Sequence, residues 1–152
     1  MFALQWPITF RKNNPNNVDK SKLVKQWTIH GIWPDLIKNC KPTEPFNETK
    51  LISIKSELHA IWPNFIKGKS DANFWDHEWY EHGSCTGWTI NNYFEKGIDL
   101  WNNFPVIKWF ESASIKPSNN PETTYSLANV EAALFKGLES TDSVAVNCLK
   151  NL

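Results

Sequence analysis

Residues 74–85 constrain the fold of this chain more than any other stretch, because one short segment carries two helical patterns at once. An aromatic residue, an acid and a base recur every four residues and so share one face of a helix: Phe74, Glu78 and His82. Trp75 and Trp79 form an adjacent stripe that is suited to a core. The segment therefore predicts a helix that buries its tryptophans and lines a surface with titratable side chains.

The other elements are predicted from hydrophobic spacing and from turn residues. Strands are expected at residues 2–6, 26–31 and 143–148, helices at 49–62, 74–82, 91–102 and 127–136, and surface loops at 11–25 and 116–124. Pro7 is expected to stop the first strand, in which Gln5 points away from the core.

The ends of two helices can be predicted from capping residues. Asp71 or Asn73 can cap the tryptophan-bearing helix, and Gly83 is well placed to end it in a left-handed turn. Ser126 is expected to cap the last helix, with Gly137 as its stop.

These elements predict one α+β domain over residues 1–152, with helices segregated from an antiparallel sheet. Hydrophobic residues make up 41% and charged residues 21%, which is the balance of a globular chain with a packed core. No run of 18 or more apolar residues occurs, so we expect no membrane span. Since the chain opens inside one strand and ends after another, we expect truncation at the C-terminus and also at the N-terminus.

Charge argues against attraction of the whole molecule to nucleic acid or to anionic membranes. Sixteen basic and sixteen acidic residues cancel, so any contact with RNA has to be local. Arg11 is the only arginine, and guanidinium forks that clamp phosphate or guanine are therefore nearly absent. Nine tryptophans exceed the needs of a generic core, and aromatic rings also stack on bases.

Two segments, residues 27–34 and 74–85, place a histidine among aromatic residues beside a glycine. Cleavage of RNA by its own 2′-hydroxyl needs a base for that proton, an acid for the leaving 5′-oxygen and donors around the phosphorus. Imidazoles titrate at about pH 6.5 and suit both proton transfers, which makes His30 and His82 the candidates. A carboxylate such as Glu78 would orient one imidazole and raise its pKa. A purely structural role for each histidine is the competing interpretation.

Both segments resemble the paired active-site signatures of the T2 family of ribonucleases, in particular the pistil S-RNases and S-like ribonucleases of plants. The resemblance extends along nearly the whole chain, through Leu4-Gln5-Trp6-Pro7, Trp62-Pro63, Tyr93-Phe94, Leu100-Trp101 and Ala113-Ser114-Ile115-Lys116-Pro117. It implies cleavage of single-stranded RNA through a 2′,3′-cyclic phosphate, without a metal or other cofactor. It also implies a secreted protein with no membrane partner and, for a self-incompatibility factor, a protein partner.

The same resemblance implies roles for individual residues. His30 would be the general acid, His82 the general base, and Glu78 an electrostatic and orienting partner. Positions that line the base-binding pockets of the family are occupied here by Gln5, Trp33 and Phe74.

Three cysteines are an odd number, which in a secreted protein leaves one thiol unpaired or its partner missing. By resemblance, Cys40 and Cys85 form a family disulfide, which closes a loop of about 45 residues and contributes about 4 kcal/mol in the chain-entropy model. Cys148 matches a cysteine whose family partner lies further downstream. Asn47, in Asn-Glu-Thr, is the only usable N-glycosylation acceptor.

The chain departs from the family pattern most sharply at Glu81. The family usually carries lysine there, immediately before the second catalytic histidine, so the charge is reversed. At an effective dielectric of about 20, a unit charge about 4 Å from a phosphate oxygen contributes roughly 4 kcal/mol. We therefore count Glu81 among the substrate-facing residues and expect impaired catalysis. A short disulfide after the first strand is also missing, and the neutral charge differs from the basic pistil S-RNases.

Three other functions compete with a ribonuclease. A zinc hydrolase would use His77 and His82, but residues five apart lie about 140° apart on a helix, whereas the zinc-binding pattern needs a spacing of four. A non-catalytic member of the family, kept as an RNA- or protein-binding module, is favoured over zinc by Glu81. A tryptophan-rich carbohydrate-binding protein would not need His30.

Overall fold

The structure is a computed structural model that describes residues 1–34, 40–42, 44–116, 118, 123–139 and 144–146. The chain forms two compact units, residues 1–102 and residues 103–152. The helices and the small antiparallel sheet confirm the predicted α+β class.

The sheet of the first unit consists of two antiparallel strands, β1 (Phe2–Gln5) and β2 (Thr28–Ile32). This antiparallel pair is the sheet that the α+β prediction requires. Ala3 lies opposite Gly31 while Leu4 lies opposite Ile29, so His30 has no partner residue and forms a β-bulge. Bulges bend a strand and re-aim its side chains, and they are common beside active sites.

Helix α1 (Pro7–Asn13) follows β1 directly, where we had expected a strand end and a loop. Pro7 does stop the strand, but it also occupies the first turn of the helix. Proline suits that position because its φ is already helical and its missing N–H has no partner to lose. The prediction of a loop from Arg11 was therefore wrong over the last residues of α1.

Three further helices pack around the core of the first unit: α2 (Lys55–Ile61), α3 (Asp71–Glu81) and α4 (Ile90–Asn103). A short 3₁₀ helix, Glu48–Leu51, precedes α2, so the predicted helix at 49–62 is two pieces. The largest fully buried side chains are Trp62, Trp75, Trp79, Tyr93, Phe65 and Phe94. Gly97 allows close packing there, because a Cβ at that position would lie 2.4 Å from the Trp62 ring.

The ends of α3 differ from their prediction. Ser70 is the N-cap, and it forms a capping box with Asn73, which is the third helical residue. Neither Asp71 nor Asn73 is the N-cap. Ser70 lies one position before Asp71, and its hydroxyl accepts a hydrogen bond from the backbone N–H of Asn73. Gly83 does not adopt a left-handed conformation and lies in a 3₁₀ turn, Gly83–Cys85. It is packed so tightly that a Cβ would lie 2.5 Å from the Trp79 ring.

The second unit contains α5 (Val106–Ser112), which was not predicted, and α6 (Leu127–Leu138). Ser126 caps α6 as predicted. Gly137 lies inside α6 and not at its end, because it packs against Trp109, where a Cβ would be 2.1 Å from the ring.

The predicted strand at 143–148 lies mostly outside the described residues, and residues 144–146 are not in a strand. Among the described residues, no helix is long and apolar enough to cross a membrane.

Candidate active site

His30 is positioned by its bulge in β2. Its neighbours Ile29 and Gly31 are buried, while its own side chain is 36% exposed. The backbone there is held by Trp62, whose indole N–H donates to the carbonyl of His30 at 2.9 Å. The imidazole lies among aromatic rings, with the Trp33 centroid at 5.1 Å and the Phe74 centroid at 5.6 Å. The bulge therefore turns this one side chain of the strand toward the solvent-facing side of the site.

Glu78 projects from α3 beneath β2, and its side chain is only 1% exposed. The indole N–H of Trp33 donates to Oε2 at 3.1 Å, and His30 Nε2 lies 3.5 Å from Oε1. Gly31 makes this approach sterically possible, because a Cβ there would lie 2.0 Å from Oε2. The glycine after the histidine thus leaves room for the carboxyl group.

Burial is the main cause of the pKa shifts in this pair. Burial raises the pKa of Glu78 from 4.5 to about 8. The hydrogen bond from the N–H of Trp33 lowers this pKa in part, and the negative charge of Glu81 raises it further. Burial also lowers the pKa of His30 from 6.5 to about 4, with the charges of two neighbouring histidines adding to the decrease. A simple ion pair would shift both values the other way. Burial thus disfavours both charged forms and favours the neutral pair of a carboxylic acid and an imidazole.

His82 is the C-cap residue of α3, and its ring centroid lies 5.3 Å from that of Trp33. His30 and His82 therefore flank the same indole. The disulfide implied by the resemblance is present just after this helix, between Cys40 and Cys85, with Cα atoms 5.2 Å apart. Ser84 strengthens the link by donating its hydroxyl to the carbonyl of Cys40 at 3.0 Å. Cys148 lies outside the described residues.

A pocket of about 500 Å³ opens beside His30. It is lined by Gln5 and Phe74, two of the predicted substrate-binding residues, and by further side chains such as Phe10, Asn64, Lys69 and His77. Gln5 Oε1 is buried in it and has no hydrogen-bond partner among the described residues. An unpaired buried acceptor is costly unless a bound group donates to it. Trp33 belongs to the histidine pair and not to the lining of this pocket.

Two pocket residues were missed in the sequence. His77 is exposed and close enough to His30 to lower its pKa, and its place beside Glu78 in the helical signature was the available signal. Asn64 follows the Trp62-Pro63 pair, and its buried side chain donates to the carbonyl of Ser70 at 2.9 Å.

Glu81 is half-buried at the end of α3, and its charge reaches Glu78 strongly enough to raise the pKa of that carboxyl group. Asn47 is exposed, and its side-chain oxygen accepts from the backbone N–H and the hydroxyl of Thr49 at 3.0 and 2.7 Å.

Comparison with known proteins gives the class of this fold and site. The model of the Ribonuclease T2 family matches residues 1–152, and the chain belongs to that family. Among curated relatives, ribonuclease MC of Momordica charantia is 29% identical over 140 residues, which are 88% of this chain and 73% of that protein. Human ribonuclease T2 is 33% identical over 137 residues, 86% of this chain, but this chain spans only 52% of its length.

The fold match is equally clear. Ribonuclease MC1 from bitter gourd seeds superposes with a TM-score of 0.79 at 27% identity, over 91% of this chain and 73% of that one. Mutants of RNase MC1 have been solved with 5′-GMP and with 5′-UMP, at 26% identity and TM-scores of 0.74 and 0.79. They cover 90% and 91% of this chain and 74% and 72% of those chains. Two tomato relatives are also similar. Extracellular ribonuclease LE is 27% identical over 96% of this chain and 67% of that protein. Intracellular ribonuclease LX is 26% identical over 96% of this chain and 64% of that protein.

Proposed function

We propose that this protein is an endoribonuclease that cleaves single-stranded RNA through a 2′,3′-cyclic phosphate without a metal. The observation that carries the proposal is that two imidazoles, His30 and His82, both lie against the Trp33 ring, with Glu78 beside the first of them. Two imidazoles around one site are what an acid–base displacement at phosphorus requires.

The reaction needs two proton transfers. His82 takes the proton of the 2′-hydroxyl as the 2′-oxygen forms its bond to phosphorus. His30 gives a proton to the 5′-oxygen as the bond from phosphorus to that oxygen breaks, which leaves a cyclic phosphate and a free 5′-hydroxyl. His30 has to be the protonated partner at the start of the step.

Glu78 supplies the proton that His30 needs. In the free protein the shared proton resides on the carboxyl group, because burial disfavours both charged forms. A bound phosphodiester places a negative charge beside His30 and favours the imidazolium. The proton then moves to Nε2 across the 3.5 Å that separates it from Glu78, and the carboxylate remains paired with the indole N–H of Trp33.

This role for Glu78 can be tested with the pH dependence of kcat/KM, which reports groups of the free enzyme. The rate of the wild type should fall above about pH 8, where the pair loses its only proton. In Glu78→Gln that proton is held by His30 alone, so the fall should move down toward about pH 4. A falling limb at the same pH in both proteins would exclude Glu78 as the proton source.

The pocket beside His30 is proposed to hold a base of the substrate. Gln5 offers an unpaired amide oxygen and Phe74 offers a ring against which a base can pack. Relatives solved with 5′-GMP and 5′-UMP support nucleotide binding in this fold.

The direct test is incubation of the protein with a homopolymer RNA in the presence and absence of a chelator. We expect equal cleavage in both and 2′,3′-cyclic phosphate ends. Inhibition by the chelator would contradict the mechanism. Binding without cleavage would favour the second candidate, a non-catalytic RNA- or protein-binding module, which is supported by the acid at position 81 immediately before His82 and by its charge acting on Glu78.

Secretion is part of the proposal, because the Cys40–Cys85 disulfide needs an oxidising compartment and Asn47 offers an exposed glycan acceptor. A role as a pistil self-incompatibility factor is its narrower form and requires a protein partner that recognises the chain. Expression in a secretory host should give a glycan at Asn47 that Asn47→Gln lacks, and an unglycosylated product would count against this assignment.

A further inference from the structure

Positive charge is concentrated in two stretches of the chain, one of which reaches the pocket at Lys69; the lining also includes one carboxylate, Asp76. Residues 1–25 and 60–70 together contain seven basic residues and one acid, whereas the rest of the chain contains nine basic residues and fifteen acids. A chain that is neutral overall thus has a strongly cationic part, and this part includes the pocket residues Gln5, Phe10 and Lys69.

Backbone pairing joins the two cationic stretches into one surface. Val18 and Ile66 form an antiparallel bridge, and the N–H of Lys67 donates to the carbonyl of Asn17 at 2.8 Å. The N–H of Asp19 donates to a carbonyl of the same stretch at 2.8 Å. Lysines from both stretches therefore lie on adjoining segments, and one of them, Lys69, lines the pocket.

Three lysines form what we call the lysine ridge: Lys22, Lys67 and Lys69. Lys22 Nζ donates to the carbonyl of Lys69 at 2.8 Å, and Lys67 Nζ donates to the carbonyl of Asn16 at 2.9 Å. Both partners are uncharged, so the charges of these ammonium groups are not neutralised by those contacts. Asp19 is the one acid of the two stretches. Hydrogen bonds from Ser21 lower its pKa most, and the charges of Lys22 and Lys67 add to this.

Lys69 connects the ridge to the reaction. Its side chain is exposed and lines the same pocket as His30 and His77, and it forms no ion pair with a carboxylate of the described residues. An RNA strand with a base in the pocket would carry its next phosphates past Lys69.

We propose that the lysine ridge binds the phosphodiester backbone of single-stranded RNA beyond the nucleotides at the cleavage point. This inference rests on the proposed function and deepens it, since it predicts a preference for long substrates over dinucleotides. Each phosphate that a lysine neutralises on a single strand contributes about 0.7 to the slope of log affinity against log salt concentration. The ridge should therefore make binding dependent on both length and salt.

The experiment measures binding of a fluorescent 2′-deoxy oligonucleotide of about ten residues, which cannot be cleaved through a 2′-oxygen. Lys22→Gln/Lys67→Gln removes two charges of the ridge outside the pocket lining and keeps side chains that can donate to the same backbone carbonyls. The matched control is Lys96→Gln/Lys108→Gln, which removes the same charge from exposed positions outside the pocket.

We expect the ridge variant to reduce the salt slope by about 1.4, and the control to leave it unchanged. Between about 50 and 200 mM salt the wild type should then lose about sevenfold more affinity than the ridge variant. Binding of a dinucleotide should be the same in all three proteins.

Equal slopes for the ridge variant and the wild type would overturn the inference. If neither protein cleaves RNA but the slopes differ as expected, the inference holds and the proposed catalytic function fails. If both cleave RNA but the slopes are equal, the function holds and the ridge has no part in it.

Discussion

The two ends of helix α3 are built in opposite ways. At its N-terminus Ser70 and Asn73 form a reciprocal capping box, and Asp71 places an acid in the first turn, where the helix dipole favours it. Within the described residues, the last turn of the same helix has no basic residue and carries the carboxyl groups of Glu78 and Glu81.

The C-terminal end is unfavourable on three counts. Negative charge there opposes the helix dipole, burial raises the pKa of Glu78, and Glu78 Oε1 has no hydrogen-bond partner among the described residues. Proteins tolerate such local costs at functional sites. The N-terminal end therefore stabilises the helix, while the C-terminal end positions reactive groups at the expense of stability.

The largest effect should come from removing an imidazole at the C-terminal end. Each of His30→Ala and His82→Ala should lower kcat by about two to four orders of magnitude, because each removes one of two proton transfers. Rates of RNA cleavage at saturating substrate give the test. The oligonucleotide affinity of both variants is the control and should stay close to that of the wild type. Wild-type kcat in either variant would remove that histidine from the mechanism.

The next effect concerns the reversed charge at position 81. Glu81→Lys should raise kcat by about a hundredfold, since a cation would then lie beside the phosphate in the transition state. The same substitution removes one of the causes that raise the pKa of Glu78 and suits the helix dipole. Cleavage rates of the two proteins decide it, with Glu81→Gln as the charge-neutral control that should fall between them. Equal rates in all three would show that position 81 does not sense the reaction.

The cost of the C-terminal end should appear as a loss of stability with rising pH. The pKa of Glu78 is 4.5 when unfolded and about 8 when folded, so its contribution is fully present below pH 4.5 and is lost as the pH rises to 8. His30, with its lowered pKa, has the opposite effect only between about pH 4 and 6.5. From pH 6.5 to 8 the free energy of unfolding should therefore fall by about 2 kcal/mol.

Chemical denaturation at several pH values measures this fall. Glu78→Gln cannot ionise at position 78, so its stability should be nearly flat over the same range. A fall of equal size in the variant would assign the pH dependence to another group.

The smallest effect belongs to the N-terminal end. Ser70→Ala removes the N-cap and should lower the free energy of unfolding by about 1 kcal/mol. Turnover should stay unchanged, because this end carries no proton-transfer group. Denaturation and cleavage rates measured together test both halves, and a loss of kcat larger than the loss of stability would mean that the two ends are not separable.

Sequence reasoning predicted the elements whose pattern is local. The two paired strands, the helix that carries Phe74, Glu78 and His82, and the Ser126 cap follow from periodicity and capping chemistry. Helix α1 was not predicted. Pro7 ends the strand, but proline is also favoured in the first turn of a helix. Gly83 and Gly137 were taken as helix ends, whereas each is small because an indole ring packs against it.

The site was predicted through its residue types and the family resemblance, but its geometry was not. The bulge at His30 depends on the register between β1 and β2, in which His30 has no partner. The burial of Glu78 depends on the close packing of α3 against Gly31. Both arise from contacts between distant segments. The same burial raises the pKa of Glu78 to about 8, a shift that the residue types alone did not indicate.

The central claim is that the 2′-oxygen of the substrate attacks its own phosphate with His30 and His82 as acid and base. It is tested most directly with a DNA oligonucleotide that contains a single ribonucleotide, incubated with the protein and a chelator. We predict one cut in this oligonucleotide, on the 3′ side of the ribose, with a 2′,3′-cyclic phosphate on one product and a 5′-hydroxyl on the other. Cleavage at deoxyribose positions, or a product with a 5′-phosphate, would contradict it.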